Sequence, residues 1–420
     1  MGLKDEFRPM ISWLIGWAAV LLFDFLAWKI VRAWAPTGYT RPARWVYILL
    51  SLPLYTLMLM VALGGRQAVD RQTLFVLACV LFPVLAFKLA VFLIYPFQLL
   101  PDWWMRRQLR AAPPDRRVLI DRRRFLQKAA LSLAALPAGA MLYGIIRGGS
   151  RLQVYRHSFV FPDLPEAFHG LRIVQLSDIH TGSFLNGALL EEAVERIRAL
   201  QPDLICFTGD LVNNFTNEVA PFKNILGRLH APLGIYSILG NHDYGDYVRW
   251  DDPARRRANF EAMLRTHREM GWRLLRNEHA LIDRRGETLP IIGVENWSSY
   301  SRFPKYGDLQ KAAAGTENYP FCLLLSHDPT HWDAQVQNQA YRRIGLTLSG
   351  HTHGMQFGVE TPFIKWSPVQ WVYPRWAGAY QEGPQSLYVN RGLGFIGYPG
   401  RVGIWPEISL LELKKAPGYA

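Results

Sequence analysis

Two histidines lie one residue apart in the segment LSGHTHG (residues 348–354), directly after the apolar run at residues 344–349. Neutral imidazole is the commonest metal ligand in proteins. The glycines beside His351 and His353 allow the backbone to turn tightly. The pair therefore indicates either a metal site or a polar loop that happens to contain two histidines, and the other motifs have to separate these interpretations.

Polar side chains follow four other short apolar runs in the same way. Each run reads as a buried strand, and each ends in aspartate, asparagine or histidine beside a turn. The aspartate, asparagine and histidine side chains of these turns include the candidate ligands, and the turns are DIHTG (178–182), GDLVNN (209–214), GNHDY (240–244), HDP (327–329) and GHTHG (350–354). Loops at the carboxyl ends of strands converge on one site in α/β and sandwich scaffolds. One such motif is weak evidence, but the ordered set of five predicts a common site.

The candidate ligands offer oxygen and nitrogen atoms and no thiolate. Four histidines, two aspartates and one asparagine suit Mn²⁺, Fe or Zn²⁺, and they suffice for two metals that share a carboxylate. Two metals about 3.5–4 Å apart can hold a bridging hydroxide and a phosphoryl group for in-line attack. The three cysteines, Cys79, Cys206 and Cys322, lie in apolar runs, and their spacing predicts no disulfide framework.

The ordered motifs resemble the calcineurin-like metallophosphoesterase superfamily, in particular its bacterial membrane-anchored branch. The resemblance rests on LSDIHTG (176–182), SGHTHGMQ (349–356) and the tail NRGLG (390–394) with PEIS (406–409), and it covers residues 155–413. It implies a C-terminal α+β domain, a four-layer αββα sandwich with two mixed sheets face to face. It also implies hydrolysis of a phosphodiester or pyrophosphate by two metals, with a metal-bridging hydroxide as nucleophile.

The resemblance also implies a role for each matching residue. One metal would be held by Asp178, His180 and His353, and the other by Asn241, His327 and His351, with Asp210 bridging the two. His242 would donate a hydrogen bond or a proton to the phosphoryl or leaving-group oxygen, and Asp243 would orient it. Many relatives carry an acidic residue at the position of Asn213. Asp210 is intact, so this departure affects a supporting role of that acidic residue and not metal binding.

Two features near the C-terminus leave alternatives open. Arg391 and Arg401 lie in a glycine-rich tail, where a guanidinium could bind a phosphate with two hydrogen bonds or could stabilise the loop. The aromatic stretch at residues 363–380 could contact the bilayer surface, line a groove for a lipid substrate, or pack in the core. Core packing is the favoured interpretation of the aromatic stretch.

The first 150 residues predict all-α transmembrane structure. Four apolar segments, at residues 11–28, 45–63, 74–97 and 129–146, are long enough to cross a membrane. The loops at 29–44 and 103–124 are basic, and the second carries eight arginines. Because positive loops stay in the cytoplasm, everything after the fourth segment is expected outside it. We expect a membrane region at residues 1–150 and a metallophosphoesterase domain at 151–420.

Charged residues inside and beside these segments suggest further roles. Asp24 and Lys88 each lie about 20 Å along a helix from its outer end, so they are able to pair. Such groups are functional candidates, although a structural pair is favoured here. The RRRFLQK stretch (122–128) resembles a twin-arginine export signal, or is simply a set of positive-inside arginines. The small residues at 138–140 leave cleavage and release of the domain open.

Charge and location narrow the expected partners. Much of the net charge of +13 comes from the basic segment that flanks the apolar runs, and no basic stripe marks the second half, so we expect no nucleic-acid partner. The expected partners are the lipid bilayer and a phosphoester, with an envelope or lipid-linked substrate favoured by the location. The alternatives are a phosphodiesterase acting on soluble nucleotides and a non-enzymatic metal-binding ectodomain.

Overall fold

Two units make up the chain, Met1–Tyr143 and Gly144–Ala420. The computed structural model describes residues 3–35, 38–64, 71–111 and 116–417. The first unit is helical, and all strands in the described part of the chain belong to the second.

The N-terminal helices are long and apolar. They are α1 (Leu3–Trp34), α2 (Thr40–Gly64), α3 (Arg71–Ala111) and α4 (Arg116–Ile146). Among the described residues, three stretches are by length and composition able to cross a membrane: Thr40–Met60, Gln72–Leu99 and Arg124–Ser150. They coincide with the second, third and fourth predicted segments. The first predicted segment lies in α1 but begins outside the part whose side chains are described, and most of the arginine-rich loop at 103–124 also lies outside it.

Asp24 and Lys88 meet in a buried polar cluster of the helical unit. The Lys88 ammonium contacts the Asp24 carboxylate and donates to Ser51 Oγ at 2.8 Å. The hydroxyls of Tyr47 and Tyr55 donate to the same carboxylate at 3.0 and 2.6 Å. Because these donors surround Asp24, the cluster has the form of a structural ion pair.

Two six-stranded sheets form the centre of the second unit. The strands are β1 (Gln153–Phe161), β2 (Leu171–Leu176), β3 (Leu204–Phe207), β4 (Ile235–Ser237), β5 (Arg273–Leu274), β6 (Glu278–Arg284), β7 (Glu287–Gly293), β8 (Cys322–Leu325), β9 (Ile344–Ser349), β10 (Val359–Glu360), β11 (Lys365–Trp366), β12 (Gly378–Glu382), β13 (Gln385–Val389) and β14 (Glu407–Lys415). The first sheet has the order β1-β14-β2-β3-β4-β5 and the second β12-β13-β9-β8-β7-β6, while β10 and β11 form a separate hairpin. Both large sheets mix parallel and antiparallel pairs.

Apolar side chains fill the space between the two sheets. Ile173, Leu204 and Cys206 of the first sheet share one buried cluster with Leu323 and Leu346 of the second. Successive strand residues point to opposite faces, so the neighbours of these residues face outward. Burial of each such side chain contributes roughly 1.5–3 kcal/mol.

Helices cover the outer faces of the sheets. They are α5 (Ala188–Leu200), α6 (Lys223–Leu226), α7 (Pro253–Glu269) and α8 (Leu309–Ala313). Leu190 and Val194, one helical turn apart on α5, pack in a cluster with Phe207 of the first sheet. Ala312 of α8 packs with Leu324 of the second sheet. The order helix, sheet, sheet, helix confirms the predicted αββα sandwich.

Candidate metal centre

All seven predicted ligands lie in loops that follow central strands. Strands β2, β3 and β4 are parallel neighbours in the first sheet, and β8 and β9 are parallel neighbours in the second. Their carboxyl ends therefore point the same way within each sheet. The seven side chains come together where these loops meet, and six of them are 5% exposed or less.

The backbone of these loops is strained at the candidate ligands. Asp178, His180 and Asp210 have φ values of 50°, 50° and 60°, and His351 and His353 have values of 71° and 50°. Left-handed backbone costs an L-residue roughly 1–2 kcal/mol, and it persists only where the surroundings enforce it. Such strain is concentrated at functional sites.

Gly350 lets the histidine turn approach the loop after β2. A Cβ atom at this position would overlap the side chains of Ser177 and Asp178. The backbone N–H of His351 donates to the Asp178 carboxylate at 2.9 Å. The two histidines of the turn therefore reach different neighbours: His353 faces Asp178, and His351 faces His327.

The first group of donors consists of Asp178, His180 and His353, each with one ligand atom within 4.8 Å of the others. His353 Nε2 lies 3.3 Å from Asp178 Oδ1. The Nε2 atoms of His180 and His353 are buried, and neither forms a well-directed hydrogen bond, although each lies near a carboxylate oxygen. Because unpaired buried nitrogen atoms are costly, their convergence fits a bound cation.

The second group consists of Asp210, His327 and His351, again within 4.8 Å of one another. His327 Nε2 lies 3.2 Å from Asp210 Oδ2 and 3.2 Å from Asn241 Oδ1. His351 Nδ1 lies 3.3 Å from the same His327 nitrogen. Asn241 thus adds an oxygen donor to this group.

Asp210 lies between the two groups. Its Oδ2 atom is 3.5 Å from His180 Nε2 in the first group and 3.2 Å from His327 Nε2 in the second. This position fits a carboxylate shared by two cations, and the oxygen and nitrogen donors suit borderline divalent metals.

The electrostatics of the site favour cations. Burial lowers the pKa of His180 to about 3, so its imidazole is neutral and able to bind a metal. Burial also disfavours a charged His327, but the carboxylates of Asp210 and Asp178 outweigh this effect and raise its pKa to about 10. A protonated His327 therefore supplies positive charge beside the two carboxylates. A cation bound at this position would displace the proton.

His242 lies beside the ligands and is held by the backbone. Its ring Nδ1 atom is 2.7 Å from the carbonyl oxygen of Asn213. Its backbone N–H donates to Asp210 Oδ1 at 2.9 Å. A carbonyl only accepts hydrogen bonds, so Nδ1 carries a proton. Nε2 is the atom left to exchange a proton with a substrate.

Asp243 was expected to orient His242, and this role stays a prediction. Its buried carboxylate accepts hydrogen bonds from backbone N–H groups at 2.8–3.3 Å, those of Gly240, Asp210, Leu211 and Val212. These N–H groups belong to sharp turns and need an acceptor once buried. Asp243 therefore fixes the turn that carries Asp210.

Three residues that sequence reasoning missed contact the ligands. His351 Nε2 lies 2.9 Å from the hydroxyl of Tyr373 and 3.5 Å from Asp328 Oδ2. The Asn241 amide donates to the hydroxyl of Tyr247 at 2.8 Å. Asp328 directly follows a ligand and could have been suspected from that position. Tyr373 lies in the aromatic stretch, where core packing was favoured.

The two tail arginines are engaged within the protein. Arg391 forms ion pairs with Glu407 and Glu360, with contacts of 2.6 and 2.9 Å. Arg401 donates to the carbonyls of Gly394 and Gly392 at 3.0 Å. Of the two alternatives, loop stabilisation describes these contacts.

The loop that contains Asn213 has an acidic residue close by in space. Glu218 accepts from the backbone N–H groups of Asn213, Asn214 and Phe215 at 2.6–3.1 Å. The Asn213 amide donates to Ser183 Oγ at 3.0 Å. The carbonyl that holds His242 thus belongs to a loop fixed by a carboxylate five residues further on.

Both parts of this chain are similar in sequence to known protein families. Residues 171–355 match the model for calcineurin-like phosphoesterases, and residues 8–149 match that of a probable calcineurin-like phosphoesterase transmembrane domain. The uncharacterized metallophosphoesterase YkuE of Bacillus subtilis (strain 168) is 32% identical over 311 residues, which cover 70% of this chain and 98% of that protein. The chain belongs to the calcineurin-like phosphoesterase family.

Two other calcineurin-like phosphoesterase relatives differ in length. The UDP-2,3-diacylglucosamine pyrophosphatase LpxG of Chlamydia trachomatis is 30% identical over 289 residues, covering 58% of this chain and 84% of that protein. A transmembrane protein with metallophosphoesterase domain from Danio rerio is 29% identical over 283 residues, or 66% of this chain, and the match spans only 60% of the relative. The predicted family is confirmed, and with it the class of metal-dependent phosphoester hydrolase and a membrane location. The individual ligand roles stay predictions.

Proposed function

We propose that this calcineurin-like phosphoesterase hydrolyses a phosphodiester or pyrophosphate of a lipid-linked substrate at a membrane, with two divalent cations of the Mn²⁺, Fe or Zn²⁺ type. The observation that carries the proposal is the position of Asp210 Oδ2 between His180 and His327, at 3.5 and 3.2 Å. One shared carboxylate joins two sets of histidine and carboxylate donors into a single centre.

The seven donors divide between the two cations. The first cation would be held by Asp178, His180 and His353, the second by Asn241, His327 and His351, with Asp210 shared. When bound, the cations supply Lewis acidity that activates water and neutralises charge on the phosphoryl oxygens. The backbone bonds that Asp243 accepts keep the shared carboxylate in place during the reaction.

His242 is the proton donor in this proposal. The Asn213 carbonyl holds Nδ1–H, so the imidazolium presents its Nε2–H to the leaving-group oxygen. The backbone N–H of His242 donates to the Asp210 carboxylate, so the backbone of the proton donor is linked to the shared ligand. These two hydrogen bonds would hold the His242 ring beside the candidate ligands as a substrate binds.

The substrate class follows from location and from one relative. The chain carries helices that are long and apolar enough to cross a membrane, and a bilayer is where lipid-linked phosphoesters are found. The relative from Chlamydia trachomatis is named for the hydrolysis of UDP-2,3-diacylglucosamine, which has both a pyrophosphate and acyl chains. We infer the same chemical class here: an acylated or lipid-linked molecule with a phosphodiester or pyrophosphate bond.

The proposal places the catalytic domain, from about residue 151 onward, outside the cytoplasm, with twin-arginine export through the stretch at 122–128. A reporter that is active only outside the cytoplasm should therefore be active when fused after Ala420. A silent reporter together with an active cytoplasmic one would reverse the orientation.

A metal-reconstitution assay tests the function. The full chain in detergent is stripped with a chelator and supplied separately with Mn²⁺, Fe²⁺ or Zn²⁺. Hydrolysis of bis(p-nitrophenyl) phosphate and of a lipid pyrophosphate in mixed micelles is then followed. We expect metal-dependent turnover, two bound metals per chain, and loss of both in Asp210→Ala but not in the exposed control His230→Ala. No turnover of either substrate with any of the metals would overturn the proposal.

A further inference from the structure

The aromatic stretch at 363–380 divides into a buried and an exposed part. Tyr373 and Trp376 are 4% and 3% exposed and pack in a small core. Phe363, Trp371 and Ile364 are 95%, 73% and 57% exposed. Large apolar side chains exposed together mark a surface that contacts something apolar.

The exposed residues lie on one hairpin and on the short segment that follows it. Strands β10 and β11 pair with Val359 opposite Trp366, and the turn between them at 361–364 carries Phe363 and Ile364. The Trp366 ring lies 6.1 Å from that of Trp371. We call the exposed set, Val359, Phe363, Ile364, Trp371 and Val372, the apolar tip.

The apolar tip is fastened to the turn that carries two candidate ligands. Ser367 Oγ donates to Gly354 O at 2.8 Å, and Thr352 Oγ1 donates to Trp376 O at 2.6 Å. At about 3.3 Å per residue, the chain from Ser367 to Ile364 spans about 10 Å. Whatever binds the apolar tip is therefore close to the histidine turn.

A cation and two aromatic rings lie between the apolar tip and the metal centre. The Tyr300 hydroxyl contacts the carbonyl of Val372. The exposed Arg302 guanidinium lies 5.7 Å from the Tyr300 ring and 4.7 Å from the Phe303 ring. The Phe303 ring in turn lies 4.9 Å from that of His351. An exposed arginine at this border suits anionic headgroups.

We propose that the apolar tip inserts into the surface of a lipid bilayer, with Arg302 at the level of the phosphate groups. A bilayer fits better than a protein partner because the most exposed apolar residue, Phe363, lies in a hairpin turn and the same chain carries apolar spans. Tryptophan is enriched at membrane interfaces. The apolar spans of the same chain keep a bilayer within reach of this domain.

The consequence for catalysis rests on the proposed function. With the apolar tip in the leaflet, the acyl chains of a lipid-linked substrate would stay in the bilayer while its phosphoester reaches the histidine turn. The enzyme would then discriminate between substrates in the bilayer and substrates in water through the apolar tip, which is distinct from the metal ligands.

Insertion can be measured without any activity. The full chain with Cys79→Ala, which leaves only the buried Cys206 and Cys322, is given Phe363→Cys and labelled with bimane. It is reconstituted into vesicles of phosphatidylethanolamine and phosphatidylglycerol with or without nitroxide-labelled lipid. The matched control is Arg285→Cys, in the exposed turn between β6 and β7.

We expect a blue-shifted emission and strong quenching by the nitroxide lipid at position 363, and neither effect at position 285. A label at 363 that is as weakly quenched as the control would overturn the proposal. So would a blue-shifted label that nitroxide lipid does not quench, because it would show that protein covers the apolar tip.

Activity provides the second measurement. The variant Phe363→Ser/Trp371→Ser should hydrolyse a lipid pyrophosphate in vesicles about tenfold more slowly or worse. The reason is that two aromatic side chains would no longer be buried in the bilayer. Hydrolysis of bis(p-nitrophenyl) phosphate should not change, and Leu281→Ser, at an exposed apolar position of β6, should change neither. An equal loss on both substrates would contradict the proposal. If the label at position 363 is quenched but the parent chain hydrolyses neither substrate, the proposed function is refuted, whereas insertion of the apolar tip is supported.

Discussion

His242 is held by a backbone carbonyl: its Nδ1 atom lies 2.7 Å from the oxygen of Asn213. This contact leaves Nε2 as the proton-donating atom. His242→Ala should lower kcat by roughly 10²–10⁴-fold, the usual contribution of a general acid, while the bound metal measured by elemental analysis stays unchanged.

The leaving group gives a sharper readout of the same prediction. A p-nitrophenolate needs little protonation as it departs, whereas an alkoxide needs a full proton. The loss in His242→Ala should therefore be much larger for an alkyl phosphodiester than for bis(p-nitrophenyl) phosphate. Equal losses on the two diesters would rule out protonation of the leaving group by His242, and metal lost together with activity would assign His242 to metal binding.

Asp243 fixes the Asp210 turn through its bonds to backbone N–H groups, and this gives Asp243→Asn a distinct expected phenotype. An amide presents N–H groups where the turn needs an acceptor, which costs roughly 1–3 kcal/mol of unfolding free energy. Metal affinity should fall about 10–100-fold, as for other groups that support metal ligands. The Asp243 carboxylate bonds backbone N–H groups of the turn that carries Asp210, so saturating metal should restore most of kcat. A kcat that stays low at saturating metal would reinstate a catalytic role.

Tyr373 supports only one of the two donor groups, since its hydroxyl lies 2.9 Å from His351 Nε2. Tyr373→Phe should weaken the metal held by Asn241, His327 and His351 about 10–100-fold and leave the other metal bound. Metal titration followed by elemental analysis should show a single retained metal at intermediate concentration. The matched control Tyr341→Phe, which packs against the helix-side core of the second sheet, should retain both.

Acid should destabilise the second unit through His267. Its ring packs against Phe207 and Trp272, its Nδ1 lies 3.0 Å from Ser237 Oγ, and burial lowers its pKa to about 3. The unfolded chain binds a proton near pH 6.5 and the native chain does not, so stability is present above pH 6.5 and is lost as pH falls toward 3. The loss at pH 5 is about 2 kcal/mol.

Melting temperatures of the full chain in detergent check this expectation. They are measured with chelator, so that metal release does not contribute, between pH 7.5 and pH 5. His267→Gln keeps a hydrogen-bonding side chain but does not titrate, so its melting temperature should fall less over this range than that of the parent. Parallel curves for the two proteins would show that His267 does not contribute to the pH dependence.

The ligands could be predicted from sequence because each is adjacent to a strand end. Short apolar runs identify the strands, and parallel strands bring their following residues to one edge, so seven distant residues could be grouped. The candidate proton donor, His242 beside Asn241, came from the family resemblance. The role of Asp243 was carried over from the resemblance, and only the structure shows that its carboxylate bonds backbone N–H groups of its own turn and of the loop after β3.

Contacts made across the fold could not be predicted in this way. Tyr373 reaches His351 from the far end of an aromatic stretch whose residues divide between core and surface, and composition does not reveal that division. The Asn213 carbonyl is invisible to any motif because every residue has one. The pairing of Asp24 with Lys88 followed from equal depth along two helices, but the tyrosines that complete the cluster required the packed structure.

The buried pair of Asp24 and Lys88 gives a final prediction about stability. Lys88→Met removes the cation and leaves a carboxylate among hydroxyl donors in a buried site, which should destabilise the helical unit by about 3–5 kcal/mol. The double variant Asp24→Leu/Lys88→Met removes both charges and should recover most of that loss, since a buried pair replaced by apolar residues is often neutral. Melting temperatures in detergent measure both effects. A double variant that is as stable as the parent yet inactive on a lipid substrate would instead give the pair a functional role.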